Sequence, residues 1–284
     1  MKVCNNYRKV ANRVTIINYS NEFYTQAQKK NTQSALRIGK VKKVISYNQN
    51  DIDELFYLKN KHILEQKRGG GYWIWKPYII RDALLNMQDG EYLFYCDSGS
   101  VFVNSIDSLI GCFDMDFDIM PFELQHIESK WTKRDCFKLL GCDGADFFQT
   151  NQIQATFSLW RKSEFSLKFV EEWLKFAQDD RIVTDIENQL GFPNYEGFVE
   201  HRHDQSIFSL LIKKYKVKVH RDPSQYGNKY LDFYPHSNYP QLFFSTRQRN
   251  LTIYLRMKKT LEKNILFRMM YSFVRKKRNR FVKS

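Results

Sequence analysis

Short apolar runs that end in polar residues recur along the chain, and each predicts a buried strand opening into a loop at its carboxyl end. The first is residues 14–20, VTIINYS. A helical stretch from about Glu22 to Ile38 follows and stops at Gly39. KVKKVISYNQNDID, residues 40–53, then repeats the strand-to-loop pattern. Strand, helix and strand in this order form a βαβ unit, which places Asn18, Tyr19, Ser46 and Asn48 on one sheet edge. Asp53 to Glu65 reads as a helix broken by Gly69-Gly70-Gly71. After Tyr72, Trp73 and Trp75, Pro77 reads as the first residue of a helix carrying Ile80, Ala83, Leu84 and Met87 at helical spacing and closed by Gly90.

Tyr92 to Cys96 is continuously apolar, as in a central strand buried on both faces, and it stops abruptly at Asp97-Ser98-Gly99. Asp97 therefore stands at the carboxyl end of a strand, where open α/β sheets bind their ligands. Farther on, Ser105 to Cys112 predicts a short helix and FDIMPFEL, residues 117–124, a strand with Glu123 on the ligand side. TNQIQATFSLWRKS, residues 150–163, predicts one or two strands. Glu164 to Gln178 is an amphipathic helix with Phe169, Val170, Trp173, Leu174 and Ala177 on its inner face. The polar segment 179–203 leads to His203-Asp204-Gln205-Ser206 at a helix start, where Asp204 has the position of an N-cap. VKVHRDPSQYGN, residues 217–228, is one more strand and loop, with His220 at the strand end. His236 lies in the loop-like region up to Pro240.

Composition narrows the function. The 284 residues suffice for one large domain, and 16% of them are aromatic, including 17 Tyr and 5 Trp, residue types that often line polar clefts. The five cysteines are odd in number and lack zinc spacing, which predicts free thiols in a reducing compartment. No signal peptide and no membrane-length apolar run is visible, so a cytoplasmic protein is expected. The net charge of +14 is concentrated: residues 251–284 carry eleven Lys/Arg and one Glu. A nucleic-acid-binding protein would fit the charge and the aromatics, but no RRM, KH or zinc motif accompanies them, so nucleic acid is not an expected partner. A nucleotidyltransferase would place a close carboxylate pair on the metal strand, and Asp97 has none.

Lys76 stands just before the proline-started helix, at an end whose dipole prefers anions; a phosphate near both would satisfy cation and dipole together. Asp97 can form a turn or act as a hard oxygen ligand for Mn²⁺ or Mg²⁺ on a diphosphate.

In combination, VTIINYS, GGGYWIWKPYIIRDAL, YCDSGS, FELQHIESKWTKRD, HDQSIFSLL and DPSQYG resemble, over roughly residues 14–245, the GT-A-type glycosyltransferases of bacterial capsule and lipopolysaccharide synthesis. The resemblance implies a Rossmann-type α/β fold, with a mixed, mostly parallel sheet flanked by helices. It also implies transfer of a sugar from a nucleotide-sugar donor, UDP above all, to a saccharide or lipid-linked acceptor. In such enzymes a DxD motif holds a divalent metal on the diphosphate. Carried over, that position is Asp97, but the third residue here is Gly99. His220 or His236 would complete the metal shell, or Lys76 and other basic groups would replace the metal. Asn18, Tyr19, Ser46, Trp73, Lys76, Asp97, Ser98 and Gly99 are the expected donor contacts. Asp204, Gln205 and Glu123 are the expected catalytic groups, and Glu128 and Trp131 would shape the acceptor side.

Residues 1–250 would then form the catalytic domain. Residues 251–284 form a basic helical tail with Met257, Leu261, Ile265, Met269 and Phe273 spaced by four. Such a segment reads as an anchor on an anionic membrane surface, with the protein peripheral on the inner face of the cell membrane.

Overall fold

The computed structural model describes residues 14–245. The expected tail 251–284 lies outside them. Among the described residues no helix is long and apolar enough to cross a membrane.

Among the described residues there are eight strands: β1 Val14–Ser20, β2 Lys43–Asn48, β3 Tyr92–Cys96, β4 Ser100–Phe102, β5 Ile119–Ile127, β6 Asn151–Arg161, β7 His220–Arg221 and β8 Phe243–Ser245. The helices that place the site are α1 Thr25–Arg37, α2 Glu54–Lys59, α3 Trp75–Leu85, α4 Arg134–Leu139, α5 Glu164–Ala177 and α6 His203–Lys214. Six strands form one sheet in the order β2-β1-β3-β6-β5-β7, and β4 pairs with β8 beside it. The β1–β2, β1–β3 and β5–β7 pairs are parallel, and only β6 runs against its neighbours. This is the mixed, mostly parallel sheet flanked by helices that the resemblance implies.

The strand order fixes where a ligand can enter. From β1 the chain crosses by α1 to β2 on one side, and later by α3 to β3 on the other. The two helices cover opposite faces. Ala35 of α1 shares a core with Val14, Ile16 and Phe94, whereas Ile79, Ile80 and Leu84 of α3 share another with Ile17, Leu93 and Tyr95. The alternation of side chains along a strand separates the two sets. Where helices leave in opposite directions, a crevice opens between the carboxyl ends of the two strands, here β1 and β3. The Ser98 hydroxyl spans that crevice and donates to the Tyr19 carbonyl at 2.6 Å.

Several local expectations change. The helix expected over Asp53–Glu65 is interrupted at Asn60, whose amide bonds back to Phe56 while a separate turn starts at Lys61. Pro77 is the third residue of α3 rather than the first; that position still lies in the first turn, where the missing N–H has no helical acceptor. Asp204 is the second residue of α6, whose N-terminus makes no side-chain cap bond, so it is not an N-cap.

The glycine triplet forms a left-handed turn. Gly69, Gly70, Gly71, Tyr72 and Trp73 all have φ between 51° and 93°. Gly71 is required twice over, because a Cβ there would sit 2.6 Å from Leu64 Cα. For Tyr72 and Trp73 the same conformation costs about 1–2 kcal/mol each. The turn delivers Trp75 and Lys76 to the start of α3, tied by a bond from Trp75 Nε1 to the Gly69 carbonyl at 3.0 Å.

Candidate active site

Three charged groups meet at the mouth of the crevice. Lys76 Nζ lies 2.7 Å from Asp204 Oδ2 and 3.8 Å from Asp97 Oδ1. Side-chain exposure separates their roles: Lys76 is 4% exposed and Asp204 5%, whereas Asp97 is 35% exposed. The Tyr95 hydroxyl donates to Asp97 Oδ1 from the same face of β3.

The electrostatics follow from burial. Burial pulls the Lys76 ammonium down, but Asp204 and Asp97 together outweigh it and hold the pKa above its ordinary value. Burial pushes Asp204 up to about 6 against the opposing pull of Lys76. The Tyr95 phenol is driven well above its usual range by burial and then by Asp97. The group carries one positive and two negative charges when Asp204 is ionised. Asp97 is the carboxylate that a ligand can reach.

A widened segment of β6 backs Asp97. Consecutive Pro121 and Phe122 pair with Ser158 and Gln154, so residues 155–157 bulge between them. The Thr156 carbonyl inside that bulge accepts the Asp97 N–H at 3.0 Å. Bulges beside a site re-aim the neighbouring side chains.

Aromatic groups fix both helix starts. Tyr19, at the end of β1, stacks on Trp75 with centroids 3.8 Å apart. Tyr72 and Trp73 lie against His203, at 4.8 and 5.6 Å. His203, with φ 51°, is left-handed as well. Its Nδ1 bonds the Val183 carbonyl at 2.8 Å, and its Nε2 accepts from Arg68 Nε at 2.8 Å. Burial holds the ring neutral, with its pKa lowered to about 4.

Of the sequence-predicted donor contacts, Tyr19, Asp97, Ser98 and Gly99 cluster at the crevice, with Trp73 one contact behind in the His203 stack; Lys76 is there too, but its buried ammonium is engaged by Asp204 and Asp97 rather than free for a phosphate. Asn18 and Ser46 are corrected. Asn18 is fully buried and donates to Asn31 and Thr32, and Ser46 pairs with Thr32 at 2.9 Å. Both face α1, because side-chain alternation sends positions 18 and 46 to the face opposite Tyr19. Asp204 is in the cluster. Gln205 follows it and spends its amide on Gln152 Oε1 at 2.7 Å and on the Ala155 N–H at 3.3 Å.

Glu123 is partly exposed on β5, two strands from β3, and accepts from the Tyr234 hydroxyl and from Asn151. Trp131 is half-buried beneath the Arg202 guanidinium, 3.8 Å away. Glu128 is corrected: it is fully buried and closed to any acceptor. Its oxygens accept from Thr132, Gln152, Ser209 and Lys213.

The histidines do not complete a metal shell with Asp97. β7 lies three strand spacings from β3, about 14 Å away. His220 is buried, bonded to Ser237, and lowered to about 3 by burial and by His236. The two rings pack 4.9 Å apart, and His236 Nε2 bonds the Val219 carbonyl. Among the described residues no group of three metal-ligating side chains exists. The donor set fits only a cation that arrives with most of its oxygens, as on a diphosphate, since Mg²⁺ is commonly held by one or two carboxylates plus substrate phosphates.

Sequence reasoning missed Tyr95, Arg68 and Gln152, and met His203 only as the opening residue of the His203-Asp204-Gln205-Ser206 helix start, with no role of its own. Tyr95 alone left a signal: two positions before Asp97 on an extended strand, it must share a face with it.

No protein-family model and no curated protein matches the chain. Among solved structures it is similar to the bifunctional glycosyltransferase WbbM, at 11% identity over 84% of this chain and 46% of that one, with a TM-score of 0.47. It is also similar to mouse xyloside xylosyltransferase 1, at 10% identity over 82% of this chain and 97% of that one, TM-score 0.46. The galactosyltransferase LgtC, in complex with donor and acceptor sugar analogues, aligns at 12% identity over 81% of this chain and 86% of that one, TM-score 0.46. The chain thus spans less than half the length of WbbM. These neighbours are glycosyltransferases; at such scores they assign no residue here, and the roles of these residues rest on the geometry of the site.

Proposed function

We propose that the protein is a GT-A-type glycosyltransferase that moves a sugar from a nucleotide-sugar donor, UDP-linked above all, to a saccharide or lipid-linked acceptor in surface-polysaccharide synthesis. The observation that carries the reading is the accessible Asp97 carboxylate at the β1–β3 switch point, backed by the buried Lys76–Asp204 pair. Nucleotides bind at that position in open α/β sheets.

In this reading the donor diphosphate lies over the Asp97-Ser98-Gly99 turn. Mn²⁺ or Mg²⁺ bound by Asp97 and the phosphates would neutralise the departing diphosphate. Lys76 does not reach the phosphates as a free cation, because two carboxylates hold it; it fixes Asp97 and Asp204 in register and limits their mutual repulsion. Asp204 and Gln205 border the sugar. Transfer breaks the bond from the anomeric carbon to the diphosphate oxygen and forms a bond to the acceptor oxygen. The acceptor's proton passes to a carboxylate. Glu123 lies on β5, two strand spacings, about 10 Å, across the sheet from β3, on the acceptor side of such an arrangement. Residues 251–284 would hold the protein to the anionic inner face of the cell membrane.

A donor-hydrolysis screen over nucleotide sugars with Mn²⁺, run beside thermal shift with the matching nucleotides, tests the reading. Slow hydrolysis of one donor class and a raised Tm with its nucleotide are expected. Asp97→Ala should lose the hydrolysis and keep the fold. No shift and no hydrolysis with any nucleotide sugar would remove the proposal.

A further inference from the structure

One surface of the catalytic body is strongly basic and lies away from the crevice. Residues 25–50 contain six cations, Lys29, Lys30, Arg37, Lys40, Lys42 and Lys43, and no acidic residue. They span α1, its connection and the sheet-edge strand β2. Ala27, Gln28, Asn31 and Ala35 form the buried side of α1, leaving Gln26, Lys29, Gln33, Leu36 and Arg37 on its exposed stripe, continued by Lys40. Leu36, on this stripe between the cations, is 46% exposed. Among the described residues no ion pair engages Lys29, Arg37, Lys40, Lys42 or Lys43.

The helix is firmly seated. Gln28 Nε2 donates to the Tyr47 carbonyl at 2.7 Å, Thr32 pairs with Ser46, and Asn31 donates to the Ser100 carbonyl at 2.8 Å. The stripe is therefore a fixed surface. Charges on an edge strand serve to block sheet-to-sheet pairing, and that accounts for Lys42 and Lys43. It does not account for Lys29 and Arg37 on the helix, nor for the exposed Leu36 beside them.

We infer that the outer face of α1, with Lys40, docks on an anionic lipid bilayer. The helix would lie in the plane of the interface, with Leu36, which shares the stripe of Lys29 and Arg37, entering the acyl boundary and the cations meeting lipid phosphates. Charge complementarity selects the anionic leaflet, and Leu36, exposed among the cations, selects lipid over a nucleic-acid backbone, which would offer it nothing apolar. This contact is made by residues of α1 and its connection, and residues 251–284 form no part of it. It stands independently of the sugar-transfer reading, because vesicle binding needs no donor.

The test uses the full chain carrying Leu36→Cys labelled with an environment-sensitive dye, mixed with vesicles of phosphatidylcholine alone or with 30% phosphatidylserine. A blue shift on the anionic vesicles only is expected. In the unlabelled chain, Lys29→Gln/Arg37→Gln/Lys40→Gln should lower partitioning about a hundred-fold, at about fivefold per charge, with Tm and nucleotide binding unchanged. Leu36→Ser should weaken the same binding several-fold. A dye that stays unshifted on bound vesicles, together with unchanged partitioning of the triple variant, would overturn the assignment. A dye shift with a single-stranded RNA 30-mer but not with anionic vesicles would overturn it as well, in favour of a nucleic-acid surface.

Discussion

Lys76 and Asp204 are each the second residue of a helix, and the two helix starts face one another with 2.7 Å between Nζ and Oδ2. The dipole of α6 favours Asp204 at that place, whereas that of α3 opposes Lys76. The two carboxylates around Lys76 offset both that repulsion and its burial. Its position is thus held by charge and not by local helix preference.

A double-mutant cycle measures the pairing. Removing one partner of a buried pair leaves an uncompensated charge and costs about 3–5 kcal/mol. Lys76→Met and Asp204→Leu should each fall in that range by urea unfolding. The double variant should be less destabilised than the sum of the two. Additive losses would mean that the pair contributes nothing to the fold.

The pair also sets a pH dependence. Asp204, with its pKa near 6, protonates as pH falls, and Lys76 then loses its nearest counter-charge. Transfer activity should decline below about pH 6. A bound diphosphate adds negative charge and raises that pKa further, so the acid limb of kcat should lie above that of kcat/KM. Asp204→Asn should erase the limb at a reduced plateau, and pH–rate profiles of the two proteins decide it.

His203 acts on stability in the opposite sense. Its pKa falls from 6.5 unfolded to about 4 folded, so the fold binds fewer protons between those values. The contribution, up to about 3 kcal/mol, is fully present above pH 6.5 and lost as pH falls through 4. Asn tolerates the left-handed conformation that His203 adopts. His203→Asn should therefore flatten part of the rise in unfolding free energy from pH 4 to 6.5. A curve that keeps its wild-type slope would assign the acid sensitivity to His220 and to His201, a second buried imidazole that burial holds well below the ordinary value.

What was legible in the sequence depends on whether the information is local. Tyr92–Cys96 ending in Asp97 could be placed because a strand buried on both faces must be apolar throughout, so the first carboxylate marks its exit. Lys76 and Asp204 could each be singled out at a helix start. Their contact could not, because it depends on α5 packing against both α3 and α6 and bringing their N-termini together. Strand order is equally non-local. It carries His220 to the far edge of the sheet, so a histidine that follows a strand in sequence is not thereby near Asp97. Glu128 was misread for the same reason. In sequence it sits in a polar loop, while Ser209 and Lys213, which bury it, come from the helix behind.

Gly99 offers a gain-of-function test for the single carboxylate. A Cβ there would meet nothing within 4 Å, and its backbone is not left-handed. Gly99→Asp would add a second oxygen ligand two residues after Asp97 without steric cost. Mn²⁺ affinity of the UDP complex should rise about tenfold, since ligand charge count tunes such sites. Calorimetric titration of Mn²⁺ into the protein with UDP reads this directly, and an unchanged affinity would place the cation away from the Asp97 turn.

The amide of Gln205 is oriented from the interior. Glu128 can only accept, so Gln152 must turn its NH₂ toward it and its oxygen toward Gln205. Gln205 must then donate with its own NH₂ and keep its oxygen on the Ala155 N–H. One buried carboxylate thereby fixes a side chain beside Asp204. Gln152→Met preserves volume but breaks the relay, leaving Gln205 free to flip and Glu128 short of one donor. Stability should drop by about 1–3 kcal/mol. The kcat should fall roughly tenfold while donor KM changes little, because orientation matters most in the transition state. Gln152→Glu sets two carboxylates together and should be worse in both respects. If Gln152→Met loses stability but keeps wild-type kcat, Gln205 plays no part in transfer and the relay serves the fold alone.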